Sequence, residues 1–512
     1  MVKTGDWLIP RMDYLIHLDK PPLSNWLVAA SFKILGPSEF SARLPNVLIS
    51  LILLIGTLLL GRFLFDFQTG LSSAWILLTS GLYLAVSRLV IPDMALSLWI
   101  FVAAACSANL FFGSRYRVLS LYGGALALGM GMLTKGPVAW LIVLLPSVIF
   151  AIWKRRGVEI SWIHWLVAAL LMLGISFSWY ILVTIQRPGT FDYFLRYQLL
   201  GRMFKGTTGH RHPFYYYLIV LPLGFLPWIL FMPQAFAWQL KRAQSSKQER
   251  DRIHFLLLWF LIPLVLLSLF KTKLATYIVP LYPPLALLMG RFWSAVSSKA
   301  IPFTRSAIAS SWLLILAYPG IMIGILILIW ILPELIRGIP LSAIFLGGGI
   351  FLTSAVVMAR ILVQRKFEWF FPAQVGILAF VALATFTFLP LIQYKNAKIF
   401  ADKILELKRP EDRVILYRRY FASLPFYLGQ RVLCAGLPAD MAPFDMQEVS
   451  GKYFFPGQDS IRPLVEDKGR VFVLTDDDGF RKAEFFSRIP LYPILKAQKA
   501  VLFSNQPVER KA

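Results

Sequence analysis

The order of apolar and polar residues divides the chain into long apolar runs joined by short polar turns, followed by a tail with a different rhythm. A helix that crosses a bilayer needs about 20 mainly apolar residues, with about 17–25 as the working range. By that measure twelve spans are predicted: Ser41–Phe65, Leu71–Ala85, Met94–Phe112, Val118–Leu133, Val138–Trp153, Ile163–Ile185, Phe214–Trp238, Phe255–Phe270, Leu274–Gly290, Ala307–Leu332, Leu341–Leu362 and Phe370–Leu389. Leu23–Leu35 is marginal in length and reads as an interfacial or partly inserted helix. From Tyr394 onward the apolar runs shorten to strand length, as in "RVILY" (413–417), "RVFVLT" (470–475) and "AVLFS" (500–504), with helical stretches such as "AKIFADKILEL" between them. The expected fold is an all-α polytopic membrane protein of about twelve transmembrane helices with a C-terminal α/β soluble domain. Its expected division is a juxtamembrane segment 1–40, a helical membrane body 41–392 and an α/β domain 393–512 outside the membrane.

Composition agrees with the pattern. The 512 residues are 57% hydrophobic and 15% charged, whereas soluble domains sit near about 45–50% apolar and about 25% charged. The net charge of +25 comes from short basic clusters between apolar runs. That distribution fits anionic lipid surfaces and topology signals and argues against nucleic acid as a partner. Cys106 and Cys434 are too few and too far apart for a disulfide framework. Met1 to Lys20 lacks the apolar segment of a removable signal peptide.

Lys and Arg accumulate in cytoplasmic loops, and every second loop here is basic: Arg115/Arg117, Lys154 to Arg156, Lys241 to Arg252, Arg291 to Arg305, and Arg360 to Lys366. The alternate set then faces outward: Met1 to Asn25, the Pro92-Asp93 turn, "TKGP" (134–137), the loop from Gln186 to Pro213, "KTK" (271–273) and the tail. That face should be poor in cations, yet it carries Lys20 before Pro21-Pro22, Lys135 before Gly136-Pro137, Arg202, Lys205, His210 and Arg211 in the long loop, and Lys271 with Lys273. An anionic substrate with its phosphate at headgroup depth would account for cations set against the topological bias.

Asp19 and Asp93 suit three complementary tasks: holding a cation in place, contacting a sugar hydroxyl or binding a divalent metal, although neither shows dedicated metal spacing. Plainer readings stand beside these. Lys135, Lys271 and Lys273 can snorkel to headgroups, Asp93 can cap the helix that follows, and Asp19-Lys20 can be a local ion pair. Tyr215, Tyr216 and Tyr277 can belong to an aromatic belt, and His210 and His212 can be ordinary loop residues.

The stretches "TGDWLIPR" (4–11), "DKPPLSNWL" (19–27), "EFSARLPN" (39–46), "RLVIPDMAL" (88–96), "LTKGP" (133–137), "GRMFKGTTGHRHPFYYY" (201–217) and "KTKLATYIVPLYP" (271–283) occur in order along essentially the whole chain. Together they resemble the bacterial lipid-linked-sugar glycosyltransferases related to protein O-mannosyltransferases, with the transferases that attach aminoarabinose to lipid A the fullest match. The resemblance implies a GT-C fold whose catalytic cavity faces the periplasm of the inner membrane. It also implies a polyprenyl (undecaprenyl) phosphate sugar donor and a lipid A or related glycolipid acceptor. By matching motifs, Lys20, Arg202 and Tyr277 are similar to residues that hold the donor phosphate, and Asp93 and Lys135 to residues implicated in catalysis. Asp19, His210, Arg211, Lys271 and Lys273 are further cavity candidates. A protein acceptor, and a transporter of lipid-linked sugars, remain alternatives on these residues. The pattern further implies a first span and an Asp-Glu motif ahead of the position Met1 occupies. This leads to the expectation that both are encoded in frame upstream.

Overall fold

The computed structural model describes residues 1–155, 157–205, 211–242, 246–331, 341–388, 397–437, 450–456, 461–466, 469–476, 491–497 and 500–507. The chain divides into two compact units, one of Val2–Leu8 with Asp19–Pro390, the other of Met1, Ile9–Leu18 and Leu391–Ala512.

The larger unit is helical. It starts with α1 (Leu23–Leu35) and α2 (Glu39–Leu64), followed by α3 (Phe67–Leu78), α4 (Gly81–Arg88), α5 (Asp93–Phe112), α6 (Arg117–Lys135), α7 (Val138–Lys154), α8 (Trp162–Gln186) and the short turn α9 (Thr190–Asp192). A π-helical stretch over Tyr193–Lys205 leads to α10 (Tyr216–Gly224), α11 (Met232–Arg242) and α12 (Lys247–Leu269). A 3-10 stretch over Ala275–Leu281 then opens α13 (Tyr282–Ser297), and α14 (Arg305–Ile331), α15 (Leu341–Val363) and α16 (Phe370–Phe388) complete the unit.

Among the described residues six helices are long and apolar enough to cross a membrane, or eight if each of two bent pairs is one span, against the twelve read from the sequence. Three of the remaining runs are shorter apolar helices among the described residues, Val138–Lys154, Gly347–Val363 and Phe367–Leu383, and the rest of the difference has local causes. The run 71–85 breaks after Thr79, where α3 and α4 meet at 66°, and the run 214–238 bends by 103° between Gly224 and Trp228. The run 274–290 opens as a tight 3-10 stretch because Pro280, Pro283 and Pro284 cannot donate helical hydrogen bonds. The outer faces are apolar and exposed, as on α8, where Leu170, Ile181 and Ile185 lie open. That is the arrangement expected where lipid is the solvent.

Two short motifs are explained by what they tie down. In "SEFS" Ser38 caps α2: its side chain accepts from the Ser41 N–H at 3.1 Å while its own N–H donates to Ser41 Oγ at 2.9 Å. Asn46, one turn further on, donates from Nδ2 to the carbonyls of Leu89 and Ile91 at 2.5 and 3.0 Å. It thereby fixes the loop that delivers Asp93.

The helices run back and forth, so α5 begins where α6 ends, and α8 and α12 finish at that same end. The opposite end gathers the basic loops into ion pairs. Arg291 bonds Asp66 at 2.6 Å and Glu249 at 2.8 Å, and Lys154 meets Asp251 at 3.2 Å.

The smaller unit holds a six-stranded sheet in the order β5-β4-β3-β6-β8-β7, with β3 (Arg413–Tyr417), β4 (Leu433–Ala435), β5 (Phe454–Phe455) and β6 (Val471–Asp476) parallel. β8 (Ala500–Ser504) runs antiparallel to β6 and to β7 (Tyr492–Ala497). The helix α17 (Lys398–Leu407) buries Phe400, Ala401 and Ile404 against one face of this sheet, in a core shared with Val414, Leu416 and Phe472. The hairpin of β1 (Arg11–Met12) and β2 (Leu15–Ile16) joins the same unit: Tyr14 stacks on Tyr453 at 3.9 Å, and Tyr420 donates to Asp13 at 2.7 Å.

Candidate functional site

Asp93 is the first residue of α5 and Lys135 the last of α6, and the antiparallel packing of those helices brings them together. Lys135 Nζ donates to Asp93 Oδ1 at 2.6 Å, and the two side chains are only 9% and 6% exposed. The ammonium also lies 3.7 Å from the ring centroid of Tyr277. A carboxylate on one side and a π-face on the other therefore hold the charge in place. The N-cap of α5 is Pro92, with Asp93 the first helical residue, and the Asp93 carboxylate receives the Lys135 ammonium. Gly136 ends α6 at φ 85°, a left-handed conformation that glycine adopts without strain, and turns the chain directly into α7.

Asp19 is anchored separately. Its Oδ1 accepts from the Tyr193 hydroxyl at 2.9 Å and from Gln198 Nε2 at 3.1 Å. Next to Tyr193, Phe194 packs on Trp179 and Tyr180 at 5.3 and 4.9 Å, and Trp179 donates to the Leu8 carbonyl at 2.8 Å. The Tyr180 hydroxyl in turn lies 3.7 Å from where a Cβ on Gly136 would stand. An aromatic bridge thus runs from the Asp19 anchor to the Lys135 corner.

A third element joins the segments on either side of that corner. Arg211 and Thr272 form an antiparallel bridge, and the His212 N–H donates to the Lys271 carbonyl at 3.4 Å. Lys273 is 2% exposed. It donates to the His212 carbonyl at 3.0 Å and to the Phe270 carbonyl, and burial pushes its ammonium below the usual lysine range. His212 stacks on Tyr216 at 4.2 Å, and the Tyr217 hydroxyl donates to the Leu274 carbonyl at 3.2 Å, three residues before Tyr277.

The structure therefore brings Lys135 into contact with both Asp93 and Tyr277, links Asp19 to that corner through Tyr193, Phe194 and Tyr180, and ties the segments carrying Arg211, Lys271 and Lys273 to each other beside it. Arg211 and Lys271 are exposed, and Lys20 is half-buried just ahead of α1. Arg202 lies in the π-helical stretch, with its side chain outside the described residues, as is the whole of His210. Tyr193, Gln198 and Asn46 are the residues that sequence reasoning passed over. All three are neutral, and only their tertiary partners mark them. Among the described residues no three His, Cys, Asp or Glu side chains gather to hold a metal ion. Chemically, the arrangement presents a fixed ammonium and carboxylate at low exposure, flanked by further cations.

The chain is similar to several known proteins. Residues 19–180 match the dolichyl-phosphate-mannose-protein mannosyltransferase family model. An undecaprenyl phosphate-alpha-4-amino-4-deoxy-L-arabinose arabinosyl transferase of Pseudomonas fluorescens is 32% identical over 295 residues, 57% of this chain and 49% of that protein. A namesake from Erwinia tasmaniensis is 28% identical over 458 residues, 87% of this chain and 78% of the relative. The chain thus spans about half the length of the first of these relatives and more of the second. The crystal structure of ArnT from Cupriavidus metallidurans bound to undecaprenyl phosphate superposes with a TM-score of 0.79 at 20% identity, over 99% of this chain and 91% of that one. At that identity the likeness establishes a shared fold.

Proposed function

We propose, for a chain that is a relative of the lipid-linked-sugar glycosyltransferases in sequence and has their fold, that it transfers a sugar from polyprenyl (undecaprenyl) phosphate to lipid A or a related glycolipid. The reaction takes place at the periplasmic face of the inner membrane. The observation that carries this reading is the buried Asp93–Lys135 pair under Tyr277, built from the stretches on which the resemblance rests. As the anomeric bond of the donor breaks, negative charge grows on the departing lipid phosphate. Cations held in place before the reaction favour that state over the ground state. Lys20, Arg202 and Tyr277 hold the donor phosphate in this reading, Lys135 completes the positive field, and Asp93 keeps Lys135 aimed. A carboxylate accepts the proton of the attacking acceptor.

The match of residues 19–180 to a protein mannosyltransferase family favours one second reading, in which the same donor site serves a protein hydroxyl. Mass spectrometry of lipid A from cells with and without the gene tests the first reading directly. A sugar-sized mass difference supports it, and identical lipid A with a glycan lost from envelope proteins replaces it with the second. Uptake of donor into vesicles without covalent transfer would refute both. Lys20→Ala should abolish transfer while the protein still inserts.

A further inference from the structure

The two segments that carry the candidate donor-phosphate cations Lys20 and Arg202 lie far apart in the chain, and one carboxylate joins them. Lys20 follows Asp19 directly, and Pro21 behind it disfavours the helical region for the lysine backbone. Arg202 belongs to the π-helical stretch of 13 residues, Tyr193–Lys205. Across 174 positions of chain the Tyr193 hydroxyl donates to Asp19 Oδ1 at 2.9 Å, and Gln198 Nε2 donates to the same oxygen at 3.1 Å. Gln198 Nε2 also donates to the Tyr193 hydroxyl at 2.5 Å, so the three side chains close a ring of hydrogen bonds.

The helix type decides whether such a ring forms. Tyr193 and Gln198 are 5 positions apart. In an α-helix of 3.6 residues per turn that spacing separates two side chains by about 140°, too far round to share one oxygen. A π-helix bonds each residue to the fifth one on, so the same spacing returns to nearly the same side. From Tyr193 to position 202 the π-helical backbone then makes roughly two turns and comes back to the Tyr193 side, whereas an α-helix would place that position about 180° away. Helices of this type are rare and gather at functional sites.

The acid also orients the Gln198 amide. An ionised carboxylate only accepts, so the amide nitrogen faces Asp19 and Oε1 points away from it. That oxygen is enclosed and has no hydrogen-bond partner among the described residues. An unmet buried acceptor costs free energy, and the bond to the charged Asp19 offsets it. Phe194, between the two donors in sequence, packs on Trp179 and Tyr180 at 5.3 and 4.9 Å and fixes the start of the stretch.

We propose that Tyr193 and Gln198 are positioning residues for the donor phosphate. By gripping Asp19 they fix the segment that carries Lys20 against the stretch that carries Arg202, so that both cations serve one phosphate. This rests on the reading of Lys20 and Arg202 as donor-phosphate groups, and Tyr193 and Gln198 act only through Asp19.

The full chain in phosphatidylcholine nanodiscs is titrated with undecaprenyl phosphate and with undecaprenol. Tyr193→Phe/Gln198→Met removes both donors and keeps the size of the side chains. It should weaken undecaprenyl phosphate about tenfold and leave undecaprenol unchanged. In a Lys20→Ala background the same two substitutions should cost clearly less, because they act on the same interaction. Gln198→Glu, equal in shape, removes the donor and sets a second carboxylate against Asp19, and it should also weaken the phosphate. Asp19→Asn/Gln198→Glu exchanges acid and amide across the contact and should restore most of that loss, since the amide at position 19 then donates to the carboxylate at 198. Undiminished affinity in Tyr193→Phe/Gln198→Met, equal losses with and without Lys20, or no rescue by the exchange overturns the proposal. The donor reading itself survives those results where wild type prefers the phosphate and Lys20→Ala abolishes the preference, and a wild type that shows no preference overturns both. Should Tyr193→Phe/Gln198→Met melt early, Gln198→Glu and its exchange partner supply the readout.

Discussion

Removing Lys135 alone should damage the protein more than removing it together with Asp93. At 2.6 Å and an effective dielectric of about 20, the Coulomb attraction of the pair is about 6 kcal/mol before desolvation. Withdrawing two nearly enclosed charges from water costs several kcal/mol per ion, so the intact pair contributes little net stability. Lys135→Met, however, strands a carboxylate that is 6% exposed. Breaking one side of such a pair typically costs about 3–5 kcal/mol. Asp93→Asn strands the ammonium in the same way, although the Tyr277 face retains part of its stabilisation. The double variant Asp93→Asn/Lys135→Met removes both charges and should return to within about 1–2 kcal/mol of wild type.

Reversible unfolding in bilayers, measured for all four proteins, gives the coupling energy. The expected value is about 2 kcal/mol or more in favour of the double variant. Sugar transfer should be lost in all three variants, because the catalytic field depends on the charge itself and not on the stability of its surroundings. Wild-type stability in Lys135→Met, or additive losses in the double variant, would refute the buried-pair reasoning.

Other outcomes follow from single contacts. Asn46→Ala leaves the Leu89 and Ile91 carbonyls without their donor. It should cost about 1–3 kcal/mol, and hydrogen exchange should speed up across residues 89–93. Burial, the largest cause, raises the Asp13 carboxyl above its ordinary 3.8 despite opposing hydrogen bonds from Tyr420 and Val432 and the charge of Arg431. The folded state then holds that proton more tightly than the unfolded one, so the destabilisation is absent below about 3.8 and complete above the raised value. Asp13→Asn should therefore stabilise the smaller unit at neutral pH and lose that advantage on acidification, as followed by hydrogen exchange in β3. Burial and then the Asp13 charge push the Cys434 thiol up to about 12, so maleimide at pH 8 should modify it only after the unit unfolds.

Much of this architecture was legible in the sequence because hydropathy reports burial in lipid directly. The runs that became α2, α5, α6 and α8 were bounded to within a few residues, and "RVILY", "RVFVLT" and "AVLFS" became β3, β6 and β8. Hydropathy records how apolar a run is but not its direction. The bends after Thr79 and around Leu226 therefore went unread, and each of those runs counted as one straight span. The hairpin of residues 11–16 was also hidden, since two strands of two residues each carry no periodicity.

At the site, the cations declared themselves by sitting against the topological bias, Lys135 among them, whereas Asp93 was legible only as an acid suited to holding a cation, contacting a sugar, binding a metal or capping its helix. That Lys135 is bound to Asp93, and that Lys273 donates to two backbone carbonyls, are tertiary facts no one-dimensional pattern contains. Tyr193 and Gln198 carry no charge and no motif, and only the Asp19 carboxylate between them marks their role.

The central claim is that one end of the helical unit grips a lipid phosphate with fixed positive charge. Its most direct test is the affinity of the full chain in nanodiscs for undecaprenyl phosphate against undecaprenol, in wild type and in Lys20→Ala. The phosphate should raise affinity at least tenfold in the wild type, and Lys20→Ala should remove most of that difference. Equal affinity for the two lipids in the wild type, or a preference that survives Lys20→Ala undiminished, would contradict it.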